Sequence, residues 1–149
     1  MKQSPFSLLI ATIFLYSACQ ENFDQRCIQE AAEYTKTHCP QQLGEGNTLD
    51  SISYNIETRT YQYYYTISGK WDTPTNIDSI VQQKEILKEH LLDKLNNSIE
   101  LNACKKEGIN FSYKYYSATT KKEFLDIILT PTDYQNKPSK GEPSKTRYR

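Results

Sequence analysis

DSISYNIETRTYQYYYTIS, residues 50–68, is the stretch on which the fold turns. Ile52, Tyr54 and Ile56 fall on one side of a first run, and Tyr61, Tyr63, Tyr65 and Ile67 on one side of a second. Successive side chains of a strand point to opposite faces, so a period of two reads as a half-buried strand. Only the Thr58-Arg59 link separates the runs, which predicts a hairpin. Gly44 and Gly46 mark a loop before it, and Gly69 to Thr75, with the one tryptophan Trp71, a loop after it.

On either side the period changes. Residues 26–38 place Ile28, Ala31, Ala32 and Thr35 at helical spacing, with Asp24 as a candidate N-cap and Pro40 as a stop. Residues 77–101 read as one longer helix. Its stripe is Ile80, Leu87, Leu91, Leu95 and Ile99, broadened by Ile77, Val81 and Leu92, and Ser79 and Gln82 are spaced as a capping box. Residues 109–116 (INFSYKYY) and 123–130 (EFLDIILT) alternate again, joined by SATTKK as a second hairpin that Pro131 ends. The order helix, hairpin, helix, hairpin predicts an α+β fold of two layers, two helices packed on one face of a four-stranded, mainly antiparallel sheet. The expected single domain is 26–133, followed by a disordered basic tail, 134–149, rich in Lys, Pro and Gly.

The N-terminus reads as an address. Lys2 precedes an apolar run, Phe6 to Tyr16, too short for a membrane span but suited to the core of a signal peptide. The signal is expected to occupy 1–18. Tyr16-Ser17-Ala18-Cys19 resembles a bacterial lipobox in its last three residues, although leucine is usual at the first. That resemblance implies acylation of Cys19, with 19–25 as a lipidated tether. Gln20 rather than Asp after it implies the outer membrane. A cut after Cys19, with simple secretion, is the alternative.

Four cysteines then matter. An exported protein meets an oxidising compartment, where disulfides are expected. Cys27 and Cys39 lie at the two ends of one helix, about 18 Å apart, and cannot pair. If the second helix runs antiparallel to the first, Cys104 returns beside Cys27. Cys27–Cys104 is therefore the expected pair, with Cys39–Cys104 left open as the alternative. With Cys19 acylated, one of the remaining three stays unpaired.

The chemistry of the chain points away from catalysis. No C-x-x-C or H-x-x-x-H spacing supports a metal site, and no nucleophile elbow, Walker loop or dinucleotide fingerprint occurs. His90 sits among Lys88, Glu89 and Asp93 and reads as a solvated surface histidine. No cofactor, no metal and no enzymatic activity are expected. The formal charge is zero overall, but residues 134–149 carry +4 and residues 19–133 carry −5. A folded body of that sign offers no electrostatic reason to bind nucleic acid.

Twelve tyrosines remain to be explained, eight of them in the strands. Strand propensity and a half-covered sheet account for most, since tyrosine joins an apolar body to a polar tip. Tyr64 and Tyr116 point opposite to their strand neighbours. With Lys114 they are the candidate partner-binding residues on the sheet's outer face. Cys39-Pro40, TLDSISY from Thr48, YQYYYTISG from Tyr61, GINFSYKYY from Gly108 and ILTPTDY from Ile128 together resemble small exported envelope lipoproteins of unassigned function. The resemblance spans about 36–134 and implies an exported α+β domain, with no functional residue attached. The expectation is a non-enzymatic, lipid-anchored bacterial envelope protein binding a protein or other envelope partner through its tyrosine-rich sheet. The alternative is a secreted inhibitor-like or small-ligand-binding module without the anchor.

Overall fold

The protein, described by a computed structural model, is defined over residues 6–135, with side chains from residue 22 onward. Five helices accompany one five-stranded sheet: α1 (Phe6–His38), β1 (Gln41–Gly44), β2 (Asn47–Asn55), β3 (Thr60–Ile67), α2 (Pro74–Gln82), α3 (Lys84–Asn97), α4 (Asn102–Lys106), β4 (Asn110–Ser117), β5 (Glu123–Leu129) and α5 (Pro131–Gln135), with a 3₁₀ turn at Gly69–Trp71. The strands lie in sequence order. The fold class is α+β, as the alternation patterns predict, but the sheet differs in two respects from the expected four, mainly antiparallel, strands.

First, the segment expected to be a loop contains β1, which pairs antiparallel with β2 through a tight turn at Glu45-Gly46. Gly46 has φ 73°, and a Cβ there would lie 2.5 Å from the Ser68 carbonyl oxygen and 2.9 Å from the Trp71 ring. Only glycine fits so close to fixed backbone. Second, β3 and β4 pair in parallel, Thr60 opposite Asn110 through Ile67 opposite Ser117. The helical connection leaves β3 at one end and returns the chain to the other, so β4 must start where β3 started. The sheet is therefore mixed.

Parallel register places like beside like. Tyr61 stacks on Phe111 (centroids 6.3 Å, 9° between planes), Tyr63 on Tyr113 (5.0 Å, 8°) and Tyr65 on Tyr115 (5.0 Å, 16°). This ladder floors the core, under α1 on the β2 side and α3 on the β5 side. Leu91, Leu92 and Leu95 of α3 and Cys27 and Ala31 of α1 close over Ile109, Phe111, Leu125, Ile127 and Leu129.

The helices also depart from their expected bounds. The helix expected over 26–38 is continuous from Phe6, and it includes the segment expected as a tether. Asp24 is accordingly no cap but a buried carboxylate within the helix, and Ala32 faces solvent. The helix expected over 77–101 is broken at Gln83 (φ −91°, ψ 16°) into α2 and α3, and α3 ends at Asn97. The cap is Thr73, whose Oγ1 accepts from Asn76 N, with Pro74 at the first turn; Ser79 instead donates to the Thr75 carbonyl. Ile99 lies beyond the helix and is 83 % exposed. Pro131 does end β5, but it opens α5, where Tyr134 is buried against Phe111 and donates to the Ile109 carbonyl at 2.8 Å. Residues 134 and 135 thus belong to the body. The expected tail beyond them lies outside the described residues, as do the side chain of Cys19 and residues 1–5 of the expected signal peptide.

Candidate functional site: the open face of the sheet

Among the described residues the helices pack on one face of the sheet, and strand alternation decides which side chains the other face shows. Tyr64 lies directly opposite Lys114, and Thr66 opposite Tyr116, across the β3–β4 pair. Lys114 in turn faces Asp126, and Ser112 faces Ile128, across β4–β5. Ser53 and Gln62 continue the face on the β2 side. The three predicted partner-binding residues are thus adjacent, and each is half-buried.

The face is organised by hydrogen bonds rather than by packing. Tyr64 and Tyr116 rings stack at 6.4 Å and 29°. The Tyr116 hydroxyl donates to Glu123 Oε2 at 2.9 Å. Lys114 Nζ reaches the same Oε2 at 3.2 Å and Asp126 Oδ2 at 2.9 Å, while Ser112 donates to Asp126 Oδ1 at 2.8 Å. On the other side Tyr64 donates to Gln62 Oε1 at 3.1 Å, and Thr66 to Asp50 Oδ2 at 2.6 Å. Partial burial works against the Lys114 charge, but the bonds to Asp126 and Glu123 outweigh it and raise the ammonium pKa. Burial and the bond to Glu123 likewise raise the Tyr116 phenol. Both groups therefore keep their protons at neutral pH. Two acids surround one lysine, and Ile128 stands 49 % exposed beside them. The result is a pre-ordered patch that joins two stacked tyrosines, a residue type enriched at protein interfaces, to two carboxylates and one ammonium.

Sequence reasoning named Tyr64, Tyr116 and Lys114 from strand alternation alone. It missed Glu123 and Asp126, because nothing in the local pattern of β5 says that they meet Lys114. It also missed Ile128, the one exposed apolar residue of that strand. The signal was available: Asp126 and Ile128 alternate with Leu125, Ile127 and Leu129.

The other groups weighed for chemistry do not converge. His90 is exposed on α3, whereas Cys104 is buried on α4 and Cys39 follows α1. Among the described residues no cluster of three or more His, Cys, Asp or Glu side chains is placed to hold a metal, and no helix is long and apolar enough to cross a membrane.

The architecture has relatives among solved structures. A protein of Pseudomonas aeruginosa inferred to be secreted superposes with a TM-score of 0.64 at 9 % identity, over 77 % of this chain and 95 % of its own. A pilotin from the type 2 secretion system of Vibrio vulnificus superposes with a TM-score of 0.56 at 10 % identity, over 79 % and 96 %. At such identities the likeness is one of fold. No curated protein matches the sequence. Residues 22–125, from within α1 to the first part of β5, match the family described as Domain of unknown function (DUF8479), and the chain belongs to that family.

Proposed function

We propose that the chain is a non-enzymatic, lipid-anchored protein of the bacterial envelope, acylated at Cys19, which binds a protein partner through the open sheet face carrying Tyr64, Lys114 and Tyr116. The carrying observation is that face. Its stacked tyrosines are ordered by Glu123 and Gln62 while still accessible, so binding a partner would cost little side-chain entropy. The apolar N-terminal run and the lipobox-like Tyr16-Ser17-Ala18-Cys19 support the anchor. A fold shared with a protein inferred to be secreted and with a pilotin supports the location.

The continuous α1 adds a consequence. A mature chain beginning at Cys19 passes straight into the domain helix, so eight helical residues, about 12 Å, separate the acylated residue from Cys27 in the core. The anchor would hold the body close to the bilayer rather than on a slack tether. Several acyl chains are needed for stable attachment, since one binds only marginally.

Radioactive fatty-acid labelling tests the anchor: label that disappears in Cys19→Ser supports it, and an unlabelled protein defeats it. A photo-crosslinker placed at position 64 or 116 tests the face in intact envelopes. A discrete adduct from these positions, absent from a crosslinker at Lys84 on α3, is the expected result. Equal crosslinking from both faces would remove the basis for this reading.

A further inference from the structure

We propose that Cys27 and Cys104 form a disulfide in the exported protein, a bond that staples the long N-terminal helix to α4. The proposal rests on the envelope location argued above, because a reducing compartment would leave the pair as thiols.

The geometry singles out this pair. Cys27 projects from the inner side of α1 and Cys104 from the middle of α4, and both belong to the central core, 1 % and 5 % exposed. Their thiols are free, and each lies close enough to perturb the ionisation of the other. Two structural features fix the approach. The Tyr61 hydroxyl donates to the Cys27 carbonyl at 3.3 Å, which ties α1 to β3. The Lys105 ammonium grips three carbonyls at the end of α3, which ties α4 in place. Cys39 cannot compete. It lies at the far end of α1, about 18 Å along the helix from Cys27. A disulfide needs Cα atoms within about 7 Å. The outcome is one bonded pair and one single thiol, Cys39, with Cys19 reserved for the acyl group.

The bond requires an oxidant, and an oxidised thiol–disulfide oxidoreductase of the envelope supplies one. One thiol loses its proton, and its sulfur attacks the oxidant's disulfide to give a mixed disulfide. That attack releases the oxidant's second sulfur as a thiolate; the remaining protein thiolate then attacks the first protein sulfur and expels the sulfur through which the oxidant was held. Two protein thiols lose two electrons and two protons, and one oxidant disulfide becomes two thiols. Burial pushes the Cys27 thiol up, and pushes Cys104 up to about 12, so the folded pair holds little thiolate. Since the thiolate is the attacking species, the bond forms while the chain is still opening and closing, and is then sealed in the core.

The test uses the full chain, purified from envelopes lysed in an alkylating agent and digested without reductant. Mass spectrometry is expected to find Cys27 and Cys104 in one linked peptide and Cys39 alkylated. Recovery of both as alkylated single peptides, or linkage of either to Cys39, overturns the proposal. A second arm separates geometry from compartment. The reduced purified protein is incubated with oxidised glutathione, with and without sub-denaturing urea. The same link is expected, forming several-fold faster with urea. A link seen only in this arm shows that the pair can bond and that the envelope reading has failed, which also defeats the proposal as stated. Reduction of the linked protein is expected to lower its Tm by roughly 10 °C, and Cys39→Ser is expected to leave both link and Tm unchanged.

Discussion

Asp24 shows how far one residue can depart from its local reading. It stands where a helix cap would be useful, yet it is 6 % exposed and accepts from the Tyr54 hydroxyl at 2.7 Å and from Arg59 Nε at 3.2 Å. Arg59 also donates to the Glu107 carbonyl at 3.1 Å, so one carboxylate joins α1, the β2–β3 turn and the end of α4. Asp24→Ala strands a buried phenol and a largely buried guanidinium, with an expected loss of about 2–3 kcal/mol. Urea unfolding measures it, and an unchanged midpoint would show the network to be idle. Asp133 offers a pH readout. Burial alone would raise its pKa, but the bonds from Thr130 and the Lys88 ammonium at 2.9 Å hold it below the usual carboxylate value. A depressed folded pKa contributes stability above the unfolded value, near 4, and that stability is lost as pH falls through the folded one. The urea midpoint of Asp133→Asn is therefore expected to fall less than that of the parent between pH 5 and pH 2. Parallel profiles would assign the acid sensitivity to other carboxylates.

At the scale of elements, what ends a helix matters as much as what drives it. The apolar stripe through residues 80–99 promises one helix, but the chain breaks at Gln83 and again after Asn97. A hydrophobic repeat does not register a turn that keeps the same face inward. Lys105 closes the second break by donating to the carbonyls of Leu95, Asn96 and Ser98 at 2.8, 3.1 and 3.0 Å. These are the carbonyls a helix leaves without partners. Lys105→Ala is expected to cost about 1–2 kcal/mol, and the lost protection is expected in the amides of the last turn of α3 under hydrogen exchange. Loss confined to α4 would contradict this role. The aromatic ladder is a second element-scale device. Tyr63 and Tyr113 stack at 5.0 Å, and a double-mutant cycle to leucine is expected to give a coupling of about 0.5–1.5 kcal/mol. A coupling near zero would mean the rings contribute only buried area.

At the scale of the whole molecule, the central parallel pair should hold longest. β3 and β4 are flanked on both edges and carry most of the buried rings, whereas β1 is a four-residue edge strand exposed throughout. Hydrogen exchange is expected to be slowest in β3 and β4 and fast in β1. Uniform protection across the sheet would argue against this gradient. The strands of both hairpins, the α+β class, the inner and outer faces and the trio Tyr64, Lys114 and Tyr116 were legible in the chain because a strand's period of two is a local property. The parallel pairing of β3 with β4 was not legible, because pairing depends on which strands lie side by side. The matched spacings of Tyr61, Tyr63, Tyr65 and Phe111, Tyr113, Tyr115 were its one local trace. In the strands, local pattern thus settled which residues face in and which face out. Folding alone decided which of them meet: Lys114 with Asp126 and Glu123, and Asp24 with Arg59. Those contacts join residues far apart in the chain, and their geometry exists only once the layers have packed.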